Sequence, residues 1–523
     1  MDGASGKVWR AVLFKAQVIG GVGMQDITII GGGTAGWMAA AILSRYLAKH
    51  WRITLVESEE IGTVGVGEAT IPQLQILHRA LGIDEAEFLA FCNGTYKLGI
   101  DFVGWGDEDS RYIHAFGEIG RPLGLVPFHH YWLRGQRLGI AKPLTDYSLN
   151  ASAAYADKFQ HGVPASGAPL GGLSHAFHFD ASRYGQFLRA YAEKRGVRRV
   201  EGRITQVTRD GESGDVAHVT LASGEQVGGH LFLDCSGFAG LLIEGALATG
   251  YEDWRHWLPC DRAIAVPCAN APDLTPYTRS TAREAGWQWR IPLQNRIGNG
   301  YVYCSAFTSD DAAQQTLLGN LDGGPLADPR PLRFTTGRRR KMWNHNVVAL
   351  GLASGFLEPL ESTSIHLVQS GVERLLKFLP QGAIRVADVD AFNAQAAFEF
   401  ESVRDFLILH YKLNRRPEPF WRACAAMAVP DSVTAKLDLF AANGRITRLS
   451  EELFAEVGWL QVLLGQGLSP QGYHPLADQP SDGELAEFLK LLETAVSRQV
   501  AGMPDHAAAF ARSAPTTMIT TRA

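Results

Sequence analysis

The sequence has few cysteines and no cysteine motif. Its 523 residues include six, which are Cys92, Cys235, Cys260, Cys268, Cys304 and Cys424. They form neither a C-x-x-C pair nor a metal-ligand spacing with histidines, so the sequence indicates no metal site. Cysteines in this pattern fit a reducing environment, and we expect a cytoplasmic protein.

Long apolar runs are also missing. No stretch of about 18 uncharged apolar residues is present, and the best candidate, residues 227–250, is interrupted by Asp234 and Glu244. The N-terminal segment carries Lys7, Arg10 and Lys15 but no continuous apolar run, so it does not resemble a signal peptide. We expect no membrane partner, and residues 1–23 are interpreted as an extension without an assigned function.

The sequence has no strong excess of charge of either sign. The net charge is −5, and the one short basic run, residues 338–341, is more typical of a solvated face than of a nucleic-acid site. Hydrophobic residues make up 46% and charged residues 20%, which is ordinary for a globular enzyme with a large core. At ~150 residues per domain, the length suggests roughly three units.

The strongest motif lies in residues 26–41, DITIIGGGTAGWMAAA. An apolar run meets Gly31, Gly33 and Gly36 in the spacing G-x-G-x-x-G, and an Ala-rich helical pattern that includes Thr34 and Ala35 follows. Such a strand, turn and helix bind a pyrophosphate at the helix N-terminus. A second apolar run ends in Glu57, 21 residues after Gly36, where an acid accepts hydrogen bonds from a ribose. The motif predicts a dinucleotide site but does not distinguish FAD from NAD.

The rest of the chain predicts a mixture of strands and helices. Residues 61–73 are expected to form an ordered loop, residues 77–98 a helix, and residues 121–171 a long irregular cover over a site. Alternation in RITQVTR and HVTLASG predicts a hairpin, LFLDCSG a buried strand, and WQWRIPL with YVYCSAF a sheet. Residues 347–379 predict strand, loop and helix, and the pattern from Ala391 onward is mostly helical.

Two tryptophans stand two residues apart in GWQWRIP. On a strand, the indoles of Trp287 and Trp289 would point to the same face and form an aromatic wall. A buried sheet face is the ordinary alternative, because aromatic pairs are common core material.

Four motifs, GGGTAGWMAA, GVGEATIP, GWQWRIP and LEPLEST, together resemble the flavin-dependent halogenases of the tryptophan halogenase family. The resemblance covers about residues 26–410. It implies that reduced FAD (FADH2) and O2 oxidise a halide to hypohalous acid, which travels through the protein to a lysine beside an aromatic substrate. It also implies an α/β fold, with a Rossmann-like FAD domain of the flavoprotein monooxygenase type, an added sheet and a mostly helical C-terminal region.

The domain limits expected from this resemblance are residues 24–410 for FAD binding and catalysis, and residues 411–523 for a helical substrate cover. Residues 100–180 and 255–335 would form a discontinuous substrate layer within the first region. The residues expected to bind FAD are Gly31, Gly33, Thr34, Ala35, Gly36, Glu57, Glu68, Ala69, Val207, Leu352 and Ile365.

The resemblance assigns the catalytic lysine to Lys97 and the acid to Glu361. A desolvated, neutral Lys97 could accept the halogen as a haloamine, or a protonated one could hydrogen-bond hypohalous acid; the sequence leaves both open. Glu361 could take the ring proton or hold Lys97 and hypohalous acid in line, with Glu358 as a nearby competitor. As an isolated residue, each would more commonly be a surface side chain.

Thr363 and Ser364 match the halide site, where backbone N–H groups at a loop-to-helix junction bind an anion. Ser364 stands where tryptophan-acting members usually carry glycine. His114 and Phe116 match positions that pack on the substrate ring, and Trp287 and Trp289 belong to the same substrate region.

The sequence also indicates which partner protein and which substrates to expect. We expect a separate NAD(P)H-dependent flavin reductase, because no second nucleotide fingerprint is evident, and a homodimer is compatible with the sequence. Residues 440–473 do not match the set that holds the charged groups of free tryptophan in tryptophan-acting members of the family. We therefore expect free tryptophan to be a poor substrate, and we expect an indole without the charged arm, a related electron-rich arene or an aromatic group on a larger molecule instead. The choice between chloride and bromide stays open, although bromide is oxidised more easily.

Two alternatives have different chemistry. A flavin-dependent aromatic hydroxylase would share the FAD fold and the reaction with O2, but its substrate would lie against the flavin. A non-catalytic FAD-binding protein would keep the fold and lose the turnover, although the presence of both Lys97 and Glu361 argues against that loss.

Overall fold

The computed structural model describes residues 25–47, 49–60, 67–162, 170–271, 273–449 and 451–510. The predicted N-terminal extension, residues 1–23, lies outside these ranges. None of the described helices has the length and apolar character needed to cross a membrane.

The strands are β1 Gln25–Ile30, β2 Trp51–Glu57, β3 Gly67–Ala69, β4 Thr95–Lys97, β5 Gly99–Val103, β6 Arg111–Ala115, β7 Ala176–Asp180, β8 Arg198–Glu201, β9 Ile204–Arg209, β10 Val216–Leu221, β11 Gln226–Gly228, β12 Leu231–Asp234, β13 Tyr251–Asp253, β14 Arg262–Cys268, β15 Thr278–Arg283, β16 Gly286–Pro292, β17 Ile297–Tyr303, β18 Arg330–Arg333, β19 Gly337–Arg339, β20 Trp343–Asn344, β21 Val347–Ala349 and β22 Gly355–Phe356. The helices are α1 Thr34–Tyr46, α2 Gln73–Leu81, α3 Glu85–Phe91, α4 Phe128–Arg137, α5 Leu149–Tyr155, α6 Ala181–Glu193, α7 Asp310–Leu318, α8 Ser364–Lys377, α9 Val386–Lys412, α10 Pro419–Ala426, α11 Asp431–Asn443, α12 Glu456–Gly465 and α13 Asp482–Ala501.

The glycine motif lies in a six-stranded sheet of order β20-β21-β12-β1-β2-β8. Strands β12, β1 and β2 are parallel neighbours. Gly31 makes the turn between β1 and α1 with a φ of 109°, which favours glycine, and a Cβ there would lie 2.3 Å from the Cys235 carbonyl oxygen. The predicted strand, turn and helix are confirmed, as is the hairpin, in which β9 and β10 pair antiparallel.

A second sheet of seven strands has the order β18-β14-β17-β16-β15-β5-β6. The predicted pairing of the two period-two segments is confirmed, because β16 and β17 are antiparallel neighbours and every residue of both is buried. Trp289 faces Gly300 across this pair, and a Cβ on Gly300 would lie 2.0 Å from the indole. The glycine therefore gives the indole room to lie across β17.

The prediction of an irregular segment at residues 121–171 was wrong, because α4 and α5 fall within it. One face of α4 is buried against α13, with Phe128 and Tyr131 in the same cluster as Leu485 and Leu489. Helix α13, which covers this apolar face, lies about 350 residues further along the chain. Local sequence patterns therefore could not predict that α4 is buried on this face.

The secondary structure predicted for two further segments, residues 61–73 and 77–98, was also wrong in part. Residues 61–66 lie outside the described ranges, but β3 is a strand that pairs with β7 instead of a loop. The expected single helix is divided in two: Gly82 ends α2 with a φ of 70°, and the Asp84 side chain caps α3 by accepting from the Glu87 backbone N–H. Strand β4 follows, and it also pairs with β7.

The C-terminal part of the described chain contains helices α9 to α13, as predicted. The long helix α9 is buried along its second half, from Val403 to Tyr411 at most positions. Helix α12 packs against β6 through Gln461, whose amide bonds the Ala115 backbone at both N–H and C=O. Helix α12 therefore lies along β6, at the edge of the seven-stranded sheet.

Candidate active site

Lys97 is a fully buried lysine at the end of β4. Its Nζ donates to Ser362 Oγ at 2.8 Å and to the Thr70 carbonyl oxygen at 3.0 Å. The Nζ atom also lies 5.4 Å from the centre of the Phe116 ring. Burial lowers the pKa of Lys97 to about 7, while the nearby Glu361 carboxylate partly opposes this shift.

Ser362 has an unusual backbone conformation. Its φ is 59°, in the left-handed region that a serine seldom adopts. It follows the short turn Pro359–Glu361 and precedes α8, so the left-handed residue redirects the chain between the two. The same conformation directs the Ser362 hydroxyl to Lys97.

Glu361 is a buried carboxylate held between two histidines. Its Oε2 lies 2.8 Å from His114 Nδ1, and its Oε1 lies 2.8 Å from His410 Nε2. Burial by itself raises the pKa of Glu361, but the imidazoles of His114 and His410 outweigh it and hold the pKa well below its usual value. Tyr112 bonds the other nitrogen of His410 at 3.1 Å. Glu361 is therefore an ionised acid that is hydrogen-bonded to His114 and lies close to His410.

Glu358, the competing acid, has different partners. Its Oε2 accepts from Trp287 Nε1 at 2.9 Å and from the Tyr411 hydroxyl at 2.5 Å. Burial raises the pKa of Glu358 to about 7, although both of these hydrogen bonds lower it. This carboxyl group fixes the orientation of the Trp287 indole, whereas Glu361 is the acid whose charge acts on Lys97.

The two tryptophans of β16 point to the same face, as predicted, with ring centres 6.1 Å apart. Both are buried, and the Trp289 indole N–H has no hydrogen-bond partner among the described residues. Both indoles therefore lie on a buried sheet face, and their role beside a substrate stays a prediction.

Thr363 and Ser364 lie at the start of α8. Thr363 is the residue before the first helical position, and its hydroxyl is buried without a hydrogen-bond partner in the described part of the chain. A helix start combines free backbone N–H groups with the positive end of the helix dipole. A buried, unpaired hydroxyl at such a position suits a small anion.

Two aromatic residues, Phe406 and Phe454, lie beside His114, and neither was assigned a role from the sequence. Phe406 in α9 stacks on Phe454 with ring centres 3.9 Å apart, and the Trp459 ring is 5.1 Å from Phe406. His114 lies 5.5 Å from Phe406 and 6.1 Å from Phe454. The amphipathic pattern of α9 was visible in the sequence, but it could not show that Phe406, Phe454 and His410 meet β6.

The residues expected to bind FAD fit that cofactor at the glycine motif. A Cβ on Gly36 would lie 1.9 Å from the Gly31 carbonyl oxygen, so α1 approaches the turn closely, while Gly33 has open space within 4 Å of an added Cβ. A phosphate can use that space. Glu57 accepts from Trp37 Nε1 at 3.2 Å at the end of β2, which fixes the acid beside the motif.

The other predicted FAD residues come from several elements around this motif. Thr34 and Ala35 begin α1, and the turn that contains Leu352 lies against it, because a Cβ on Gly351 would be 2.9 Å from Ala35 Cβ. Val207 in β9 packs on the cluster that includes Ile30 and Val56. The remaining residues are Glu68 and Ala69 in β3 and Ile365 in the first turn of α8.

This chain is similar to known proteins in both sequence and structure. The family model described as tryptophan halogenase matches residues 26–482. A flavin-dependent halogenase from Xanthomonas campestris has a similar structure, with a TM-score of 0.91 and 48% identity, covering 94% of this chain and 99% of that one. The flavin-dependent halogenase BrvH from Brevundimonas sp. BAL3 has a TM-score of 0.90 and 44% identity, with coverage of 94% and 99%.

A sequence relative, the tryptophan 7-halogenase RebH from Lentzea aerocolonigenes, is 35% identical over 497 residues, which is 88% of this chain and 93% of that protein. The mixed α/β fold, the FAD motif and the buried lysine all accompany these matches. The chain therefore belongs to the tryptophan halogenase family and is a flavin-dependent halogenase.

Proposed function

We propose that this halogenase acts on an electron-rich, indole-like aromatic other than free tryptophan, and that Lys97 delivers the halogen to it. The observation that carries the proposal is the fully buried Lys97 amine, held by Ser362 Oγ at 2.8 Å beside the Phe116 ring. An amine in this position is costly to bury, and a role in the reaction explains why it is there.

Reduced FAD, when bound, supplies hypohalous acid from O2 and chloride or bromide. Lys97 then has two ways to use it, and a pKa of about 7 means that both protonation states of Lys97 are populated near neutral pH. The neutral amine accepts the halogen, and the protonated amine hydrogen-bonds hypohalous acid and makes it more electrophilic. Ser362 fixes the direction of the Nζ lone pair or N–H group in either case.

Glu361 serves as the acceptor of the ring proton after the halogen has added. An arenium ion is a strong acid, so a carboxylate with a low pKa is basic enough for this step. A hydrogen bond to His114 holds the carboxylate in place, and His410 lies beside its other oxygen. The same charge raises the pKa of Lys97, which also supports the alternative role of Glu361 in aligning that amine.

The halide is proposed to bind at Thr363 and Ser364. The buried Thr363 hydroxyl has no protein partner in the described ranges, and the α8 N-terminus provides backbone N–H donors. This position is next to Ser362, so the anion site and the lysine partner belong to one short segment.

The substrate preference is supported by the surroundings of His114. Phe406, Phe454 and Trp459 form an apolar enclosure, and Gly458 brings the α12 backbone close, since a Cβ there would lie 2.9 Å from His114 Nε2. Burying a zwitterion without charged partners costs about 3 to 5 kcal/mol, because its charged groups lose their hydration. The two more similar structures are described only as flavin-dependent halogenases, whereas RebH, at lower identity, is a tryptophan halogenase.

A separate flavin reductase is proposed as the partner that supplies FADH2. A cytoplasmic location fits the six cysteines, which are all buried and free in the structure. The reductase provides reduced flavin by diffusion, so FAD should exchange readily from this chain.

Mass spectrometry of products from a panel of indoles, phenols, peptides and tryptophan tests the proposal, with each halide and a supplied reductase. We expect halogenated indole-like products and a low kcat/KM for tryptophan. Tryptophan as the best substrate would overturn the substrate class. An oxygenated product formed without halide would instead support a hydroxylase.

A further inference from the structure

A histidine and carboxylate cluster lies outside the halogenation site. It contains Glu85 at the start of α3, His161 after α5, and His175 just before β7. One ligand atom of each residue lies within 4.8 Å of the others. The residues are 76 and 14 positions apart in sequence, so no linear spacing could have indicated the cluster.

The three side chains are close together, and a metal ion would replace the hydrogen bond between His161 and Glu85. His161 Nε2 is 2.8 Å from Glu85 Oε1, and His175 Nε2 is 3.7 Å from Glu85 Oε2. Ligand atoms that bind one tetrahedral Zn²⁺ at about 2.1 Å lie roughly 3.4 Å apart. Small side-chain rotations would therefore bring all three atoms to an ion.

Within the described part of the chain, His175 is buried and lacks a hydrogen-bond partner at the atom that faces the other two residues. Its side chain is only 8% exposed, and its Nε2 has no hydrogen-bond partner among the described residues. A buried imidazole nitrogen without a partner is costly. Because this atom faces the other two ligand atoms, a metal ion would satisfy it.

The surroundings support the three ligands. The Tyr96 hydroxyl donates to Glu85 Oε1 at 3.0 Å, which is the kind of outer hydrogen bond that orients a metal-binding carboxylate. Phe159 stacks on Tyr96 with ring centres 3.9 Å apart, and it precedes His161 by two residues. Tyr96 is next to Lys97 on β4, and their side chains leave opposite faces of the strand.

We propose that Glu85, His161 and His175 bind one Zn²⁺ ion, with water in the fourth position. Two imidazoles and one carboxylate favour zinc and related first-row ions over Mg²⁺ and Ca²⁺, which prefer oxygen ligands. The ion joins three separate segments on the side of β4 and β7 away from Lys97. Its role is to stabilise this side of the fold, not to take part in halogenation.

The test is a titration of tag-free, chelator-treated, full-length protein with Zn²⁺ by calorimetry and with Co²⁺ by its visible absorption. We expect one equivalent to bind, and a Tm that rises with added Zn²⁺. The His161 side chain is 58% exposed, so His161→Ala should not disturb folding. This variant is expected to weaken Zn²⁺ binding at least ~10-fold. Glu85→Gln and His175→Ala should weaken it similarly.

His50→Ala is the matched control, because His50 is an exposed histidine outside the cluster, and it should bind Zn²⁺ like the wild type. The absence of one-to-one binding would overturn the proposal. Equal affinity in wild type and His161→Ala would also overturn it, since the ion would then bind elsewhere. Competition by Mg²⁺ at similar concentration would contradict the assignment to zinc.

Discussion

Lys97 Nζ and Ser362 Oγ lie 2.8 Å apart across 265 residues of sequence, inside a buried site. Ser362 reaches the lysine from a left-handed backbone conformation with a φ of 59°. Strain of this kind costs about 1 kcal/mol or more and persists where surrounding structure requires it. The segment therefore carries the buried acid Glu361, the lysine partner Ser362 and Thr363 of the proposed anion site at three consecutive positions.

The role of the Ser362 hydroxyl is tested by Ser362→Ala. Without the oxygen, the Lys97 amine loses one of its two hydrogen bonds and its fixed direction, so we expect kcat to fall about 10-fold with little change in KM. Ser362→Gly removes the same hydroxyl, but glycine suits a positive φ. This variant should therefore show the same fall in kcat as Ser362→Ala and be more stable than it. A wild-type kcat in both variants would contradict this role.

Burial of Lys97 should contribute a destabilisation at neutral pH that is absent at high pH. The folded pKa of about 7 lies below the model-peptide value of 10.5, so the unfolded chain binds more protons between these pH values. Stability that is present above about pH 10.5 is lost as the pH falls towards 7. Lys97→Met removes this effect, and its Tm should exceed that of the wild type at pH 7.

Differential scanning fluorimetry from pH 7 to pH 10 measures this difference. The gap between Lys97→Met and wild type should narrow as the pH rises. Lys490→Met is the control, because Lys490 is a largely exposed lysine paired with Glu493 and should show no such trend. A gap that does not depend on pH would mean that the Lys97 amine is not desolvated.

Glu361→Gln should slow halogenation by about 100-fold, the contribution typical of a general base. We expect a smaller loss than in Lys97 variants, because the amide keeps the shape of the acid and the lysine remains. FAD affinity should not change. Single-turnover kinetics with each variant measures the effect.

Glu358→Gln is the matched control for that experiment. Glu358 bonds Trp287 and Tyr411 and is partly protonated near pH 7, so an amide can replace it with less effect on rate. A larger rate loss in Glu358→Gln than in Glu361→Gln would reverse the roles given to these two acids.

Local patterns predicted the parts of the fold that depend on nearby residues. The turn at Gly31 requires a conformation that glycine favours, and the alternation around Trp287 and Trp289 is a property of one strand, so both could be predicted from sequence. Helix α4 could not, because its buried face is completed by α13. The same holds for His410 and Phe454, which come to His114 only through the packing of α9 and the chain before α12.

The sequence also predicted only part of the candidate site. Lys97 and Glu361 were identified by family motifs, but their separate partners, Ser362 for one and two histidines for the other, are tertiary contacts that no motif contains. The left-handed conformation of Ser362 is likewise imposed by the junction between a short turn and α8.

Halogenated product from wild type and from Lys97→Met shows directly whether the reaction requires Lys97. Each protein is supplied with reductase, FAD, O2, bromide and indole, product is quantified by mass spectrometry, and FAD binding is measured in parallel. We expect bromoindole from the wild type and no bromoindole above background from Lys97→Met. FAD binding should be retained in the variant. Bromoindole formed by Lys97→Met at the wild-type rate would contradict the requirement for Lys97.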